Sequence, residues 1–116
     1  MLVIRLFLLF EAATFVAASL IHHGVLIRGG EHAAAGQAES IIAGVLLAGA
    51  AASWLRPRWT RTLGLLAQGF ALLGTLVGIS TIVIGVGPRT VPDLIYHIGI
   101  VIVLAWGLAV AWRSRD

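Results

Sequence analysis

The chain has 116 residues, of which 59% are hydrophobic and only 11% are charged, and its mean hydropathy is +1.01. Soluble domains are about 45–50% apolar and about 25% charged, so the composition excludes them and indicates an integral membrane protein. The lack of cysteine excludes disulfide scaffolds and thiolate metal sites. The net charge is +3, but the arginines that carry it lie between apolar segments, so we expect no nucleic-acid partner.

Four apolar stretches are each long enough to cross about 30 Å of hydrocarbon as roughly 20 helical residues. They cover about residues 2–27, 32–55, 63–86 and 91–112. Helices are expected because unpaired backbone groups are costly in lipid, and a barrel would need strands in which polar and apolar residues alternate. Arg28-Gly29-Gly30 is expected to end the first helix, and Thr90 and Asp93 form a predicted capping box for the fourth. The sequence predicts an all-α polytopic protein, a single four-helix transmembrane bundle over residues 1–116.

Arginine distribution predicts the orientation of this bundle. One side of the predicted membrane carries six arginines, namely Arg5, Arg56, Arg58, Arg61, Arg113 and Arg115, and the other carries Arg28 and Arg89. By the positive-inside rule we expect both termini to be cytoplasmic. The rings of Trp54, Trp59 and Trp112 fall at the same predicted cytoplasmic interface, which tryptophan prefers.

Small residues recur along the second and third spans, with Gly44, Gly74 and Gly78 among them. Such stripes let membrane helices approach closely. They predict packing within one bundle or against another subunit. We therefore expect, besides the lipid bilayer, a partner in the form of a second copy or a larger membrane complex.

Ionisable residues inside a membrane are costly, so each one needs an explanation. Those near the outer face are His22, His23, His32, Glu39 and His97, and we expect them, with only one of the adjacent pair His22 and His23 facing inward, to converge in an outward-facing pocket. Asp93 precedes His97 by four residues, so its carboxylate can orient that imidazole, and Tyr96 adds a hydroxyl nearby. Glu11 lies deeper, where a carboxylate must be paired, protonated or beside water.

These residues leave three functions open. The first is binding of a transition metal or a b-type haem by the imidazoles and Glu39, as an accessory to a membrane redox complex. The second is a structural or assembly subunit without a ligand, and the third is a proton-coupled small transporter that uses Glu11 or Glu39. An enzyme is the least expected class, because the chain carries no nucleophile motif.

The segment from Gly85 to His97, GVGPRTVPDLIYH, resembles a stretch of small uncharacterised bacterial four-helix membrane proteins. The resemblance covers most of the chain and implies the architecture, but no reaction. The small multidrug transporters share the length, the four spans and a glutamate in the first helix, here Glu11. Their tryptophan-serine-glycine segment is missing from the third helix, so the chain is not assigned to them.

Overall fold

The computed structural model describes residues 1–115 and contains four long helices with short connections. They are α1 (Leu2–His22), α2 (Ala33–Leu55), α3 (Thr60–Val83) and α4 (Val91–Arg113), and a 3-10 turn over Pro57–Trp59 precedes α3. All four are long and apolar enough to cross a membrane. The expectation of an all-α bundle with four such helices is confirmed.

The helix boundaries differ from the predicted spans mainly at the first and third helices. α1 ends at His22, not near Ile27, because Gly24 adopts the left-handed conformation (φ +74°) and turns the chain. The expected stop at Gly29 therefore lies inside a loop that is already non-helical. α3 begins three residues before its predicted span and ends three residues before the predicted end.

The start of α4 follows the predicted capping box. The backbone N–H of Asp93 donates to Thr90 Oγ1 over 3.2 Å, and the backbone N–H of Thr90 donates to Asp93 Oδ2 over 3.2 Å. Pro92 stands in the first turn, where the N–H that it lacks has no partner within the helix.

Successive helices run in alternating directions, so both termini and the α2–α3 connection lie at one end of the bundle. At that end Arg5 Nη2 donates to the Ser53 carbonyl over 2.7 Å, and its guanidinium lies 4.2 Å from the Trp54 ring centre. Arg61 Nη2 donates to the Trp112 carbonyl over 3.1 Å. The α1–α2 and α3–α4 connections lie at the opposite end, called here the loop end.

Apolar side chains from all four helices fill the core, among them Ile4, Leu8, Leu46, Ala71 and Leu104. Of the predicted packing glycines, Gly74 lies close enough to α2 that a Cβ there would come within 2.8 Å of Ile42 Cδ1. Gly78 lies beside the His97 ring. Gly44 is exposed, with nothing within 4 Å of the position of a Cβ, so it packs against no helix of this bundle.

Candidate functional site

The site at the loop end is built around the His22 ring, which is almost fully buried. His22 Nδ1 is in hydrogen-bond contact with Glu39 Oε1 of α2, and His22 Nε2 lies 2.9 Å from Asp93 Oδ1 of α4. One imidazole thus joins carboxyl groups from two other helices. If both carboxyl groups are ionised, each ring nitrogen must donate, so the ring is an imidazolium and the three side chains together carry one negative charge.

Asp93 reaches His22 because of its place in the first turn of α4. Its Oδ2 accepts from the Thr90 backbone and hydroxyl, which aims the carboxylate back over the helix N-terminus and leaves Oδ1 for His22. The expected pair between the Asp93 carboxylate and His97 does not form. Instead His97 Nδ1 lies 2.6 Å from the backbone carbonyl of Asp93.

The remaining histidines have distinct environments. His32 caps α2: its Nδ1 accepts from the Ala35 N–H over 3.2 Å, so Nε2 carries the hydrogen and donates to the Val86 carbonyl over 3.1 Å. His23 is exposed, and its Nδ1 donates to the Ser19 carbonyl over 2.8 Å. The adjacent pair therefore separates as expected, with His22 inward and His23 outward.

A cavity of about 170 Å³ opens beside this group, between α2, α3 and the start of α4. Its polar lining includes His32, Glu39, Thr75, Tyr96 and His97. The rest of its wall is mostly apolar, and Phe15, Ile42, Val77, Gly78 and Pro88 belong to it. Among residues 1–115 no arginine lines this cavity, and Glu39 is the only charged residue of its described wall apart from the histidines.

Three polar atoms of the cavity residues have no hydrogen-bond partner among residues 1–115. Glu39 Oε2 and the Tyr96 hydroxyl are buried without a partner. His97 Nδ1 faces a carbonyl, which only accepts, so Nδ1 carries the hydrogen, and in the neutral ring the other nitrogen, Nε2, is a free acceptor. These free atoms are the groups with which a bound molecule could form hydrogen bonds.

Among the residues expected to form one site, His22 is hydrogen-bonded to both Glu39 and Asp93. The cavity is lined by His32, Glu39, Tyr96 and His97. Within residues 1–115 no three His, Asp or Glu side chains are arranged to hold a metal ion. Both nitrogens of His22 and of His32 have hydrogen-bond partners, so neither ring offers a free nitrogen to a metal ion.

Glu11 lies away from this cavity. Its side chain is fully buried, and neither carboxyl oxygen has a partner within the described chain. Gln68 of α3 and Gly107 of α4 face it. The sequence indicates Glu11 as a separate proton-linked candidate but does not predict its proximity to Gln68, because helix rotation decides which side chains meet.

Comparison with protein-family models, with curated proteins and with solved structures finds no match to this chain.

Proposed function

We propose that this is a multi-pass protein of the bacterial inner membrane that binds a small organic cation in the cavity and exchanges it for a proton. This is the chemistry that a proton-coupled small transporter requires. The observation that carries the proposal is the Glu39–His22–Asp93 chain, whose Glu39 end lines the cavity and whose Asp93 end lies at the exposed start of α4.

The charge of the cavity favours a cation. Glu39 presents an oxygen without a partner, and among residues 1–115 no arginine lines the cavity to attract an anion. The aromatic rings of Phe15 and Tyr96 line the same space and would add an attraction for a positive group near their faces. A cavity of about 150 Å³ accommodates benzene, so the ligand has about that size.

The hydrogen-bonded group Glu39–His22–Asp93 links cation binding to protons. With an imidazolium between two carboxylates the group has one unbalanced negative charge. Either a proton or a cation at Glu39 balances it, and in an apolar site the two compete because each makes the other unfavourable. Because His22 contacts both carboxyl groups, a change of charge at Glu39 also acts on Asp93, which lies at the surface of the loop end.

The predicted orientation of the bundle agrees with this proposal. By the positive-inside rule the arginine-rich end, with both termini, is cytoplasmic, so the loop end and the cavity face outward. A second copy of the chain, or a larger membrane complex, is the expected partner, because four short helices leave much apolar surface exposed.

Benzylammonium is a suitable probe, since it is an organic cation of about the size of benzene. Adding it to purified protein in weakly buffered detergent should release up to one proton per bound molecule. Benzyl alcohol and benzoate should release none. Glu39→Gln should abolish release, and Gly78→Leu should abolish binding by filling the cavity. Glu31→Gln, a change at an exposed glutamate, is the matched control and should behave as the wild type.

Three outcomes would overturn the proposal. The first is no binding of benzylammonium. The second is binding that survives both Glu39→Gln and Gly78→Leu. The third is that Glu39→Gln and Gly78→Leu change only the stability or assembly of the protein, as expected for a structural subunit. Circular dichroism of each variant shows whether the helices are retained.

A transition-metal ion is a second candidate ligand, favoured by one observation. The backbone carbonyl of Asp93 accepts from His97 Nδ1, so in the neutral ring Nε2 is the nitrogen free to ligate a metal. His97 and Glu39 would supply two donors, with water completing the shell. The cavity is far smaller than a porphyrin, so an ion suits it better than a b-type haem. Titration with Zn²⁺, compared between wild type and His97→Ala, tests this candidate.

A further inference from the structure

Three buried oxygens without partners meet in the middle of the bundle. Both carboxyl oxygens of Glu11 and the amide oxygen of Gln68 form no hydrogen bond within residues 1–115, and both side chains are fully buried. A methyl group at Gly107 would lie 2.8 Å from Glu11 Oε1 and would overlap Gln68 Oε1. The two side chains therefore approach the same face of α4, in the space that the glycine leaves.

The orientation of the Gln68 amide is fixed by its other contact. Gln68 Nε2 donates to the Gly64 carbonyl over 3.0 Å. A carbonyl can only accept, so the amide nitrogen must face Gly64 and the amide oxygen must face Glu11. Turning the amide around would place two acceptors against each other at Gly64.

A group of acceptors without a donor is unfavourable away from water. Buried polar atoms are almost always hydrogen-bonded, and an unpaired carboxylate in an apolar interior costs far more than a neutral group. One added proton removes the problem, because it eliminates the charge and turns a Glu11 oxygen into a donor. A larger cation would need space and several ligands around it, whereas a proton needs neither.

We infer that Glu11 and Gln68 form a proton-binding site in the middle of the bundle. Glu11 carries a proton in the folded protein and donates it to Gln68 Oε1, so the hydrogen bond joins α1 to α3. Gly107 provides the room for this bond on the side of α4. The site is separate from the cavity and does not depend on the proposed function.

Infrared spectroscopy tests this inference directly. The protein is purified in an ester-free detergent at neutral pH, with and without ¹³C-carboxyl-labelled glutamate. The wild type should show the C=O band of a protonated carboxyl group, and the label should move it. Glu39, which holds the exchangeable proton of the proposed function, can give a band of its own, so the comparison is made in the Glu39→Gln background. There the labelled band should remain, Glu11→Gln should remove it, and Glu31→Gln should leave it in place.

A variant of the acceptor provides a second readout. Gln68→Met keeps the length of the side chain but cannot accept a strong hydrogen bond, so the Glu11 band should shift to higher frequency in this variant. This measurement remains decisive if Glu11→Gln fails to fold. The inference is overturned if no labelled carboxyl band is present, if Glu11→Gln leaves the band, or if Gln68→Met does not move it.

Discussion

His22 Nε2 lies 2.9 Å from Asp93 Oδ1, although 71 positions separate the two residues in the chain. The contact joins the last turn of α1 to the first turn of α4. Glu39 of α2 contacts the other nitrogen of the same ring. One imidazole with two carboxyl partners thus joins α1 to both α2 and α4 at the loop end of the bundle.

We expect His22→Ala to lower the free energy of unfolding by about 3–5 kcal/mol, since it leaves the buried Glu39 carboxyl without its partner. The matched control is His23→Ala, at the adjacent exposed residue. Its cost should be about 1 kcal/mol, the value of one ordinary hydrogen bond. Denaturant titration in mixed micelles, followed by circular dichroism, measures both. Equal losses of unfolding free energy in the two variants would show that the buried His22 hydrogen bonds contribute no more than the exposed His23 hydrogen bond.

A double-mutant cycle isolates the contact between His22 and Asp93. The single change Asp93→Ala also removes the helix cap, but this loss occurs in both arms of the cycle and cancels. The coupling energy between His22→Ala and Asp93→Ala should be about 0.5–3 kcal/mol. The control cycle with His23→Ala should be additive within about 0.5 kcal/mol. A coupling as small as the control value would contradict the contact.

Gly107→Ala should destabilise the bundle by about 1–3 kcal/mol, because the new methyl group would meet the oxygens of Glu11 and Gln68. Gly99→Ala on the same helix is the control, since nothing lies within 4 Å of the position of its Cβ. That change should be neutral or stabilising by up to about 1 kcal/mol, as alanine favours helix over glycine. Unfolding in mixed micelles distinguishes the two. A tolerated Gly107→Ala would mean that the helices at this point have room to separate.

The sequence alone predicts the features that depend on local residues. The four apolar lengths give the helices, and Thr90 with Asp93 gives the start of α4, because a capping box involves residues three positions apart. The sequence predicts less well which side chains meet, because this depends on how each helix is rotated about its axis. These helices are apolar nearly all round, so periodicity does not show which face is buried. The pairing of Asp93 with His22, the exposure of Gly44 and the approach of Gln68 to Glu11 all depend on that rotation.

The orientation of the chain in the membrane is simple to test because the chain has no cysteine. Ala33→Cys marks the loop end and Ser114→Cys the opposite end, and neither change removes an arginine. Because six of the eight arginines lie at the end with the termini, the positive-inside rule places that end in the cytoplasm. In bacterial spheroplasts a membrane-impermeant maleimide should therefore label Ala33→Cys at once and Ser114→Cys only after lysis. The cysteine-free wild type is the blank, and the reverse labelling pattern would place the cavity on the cytoplasmic side.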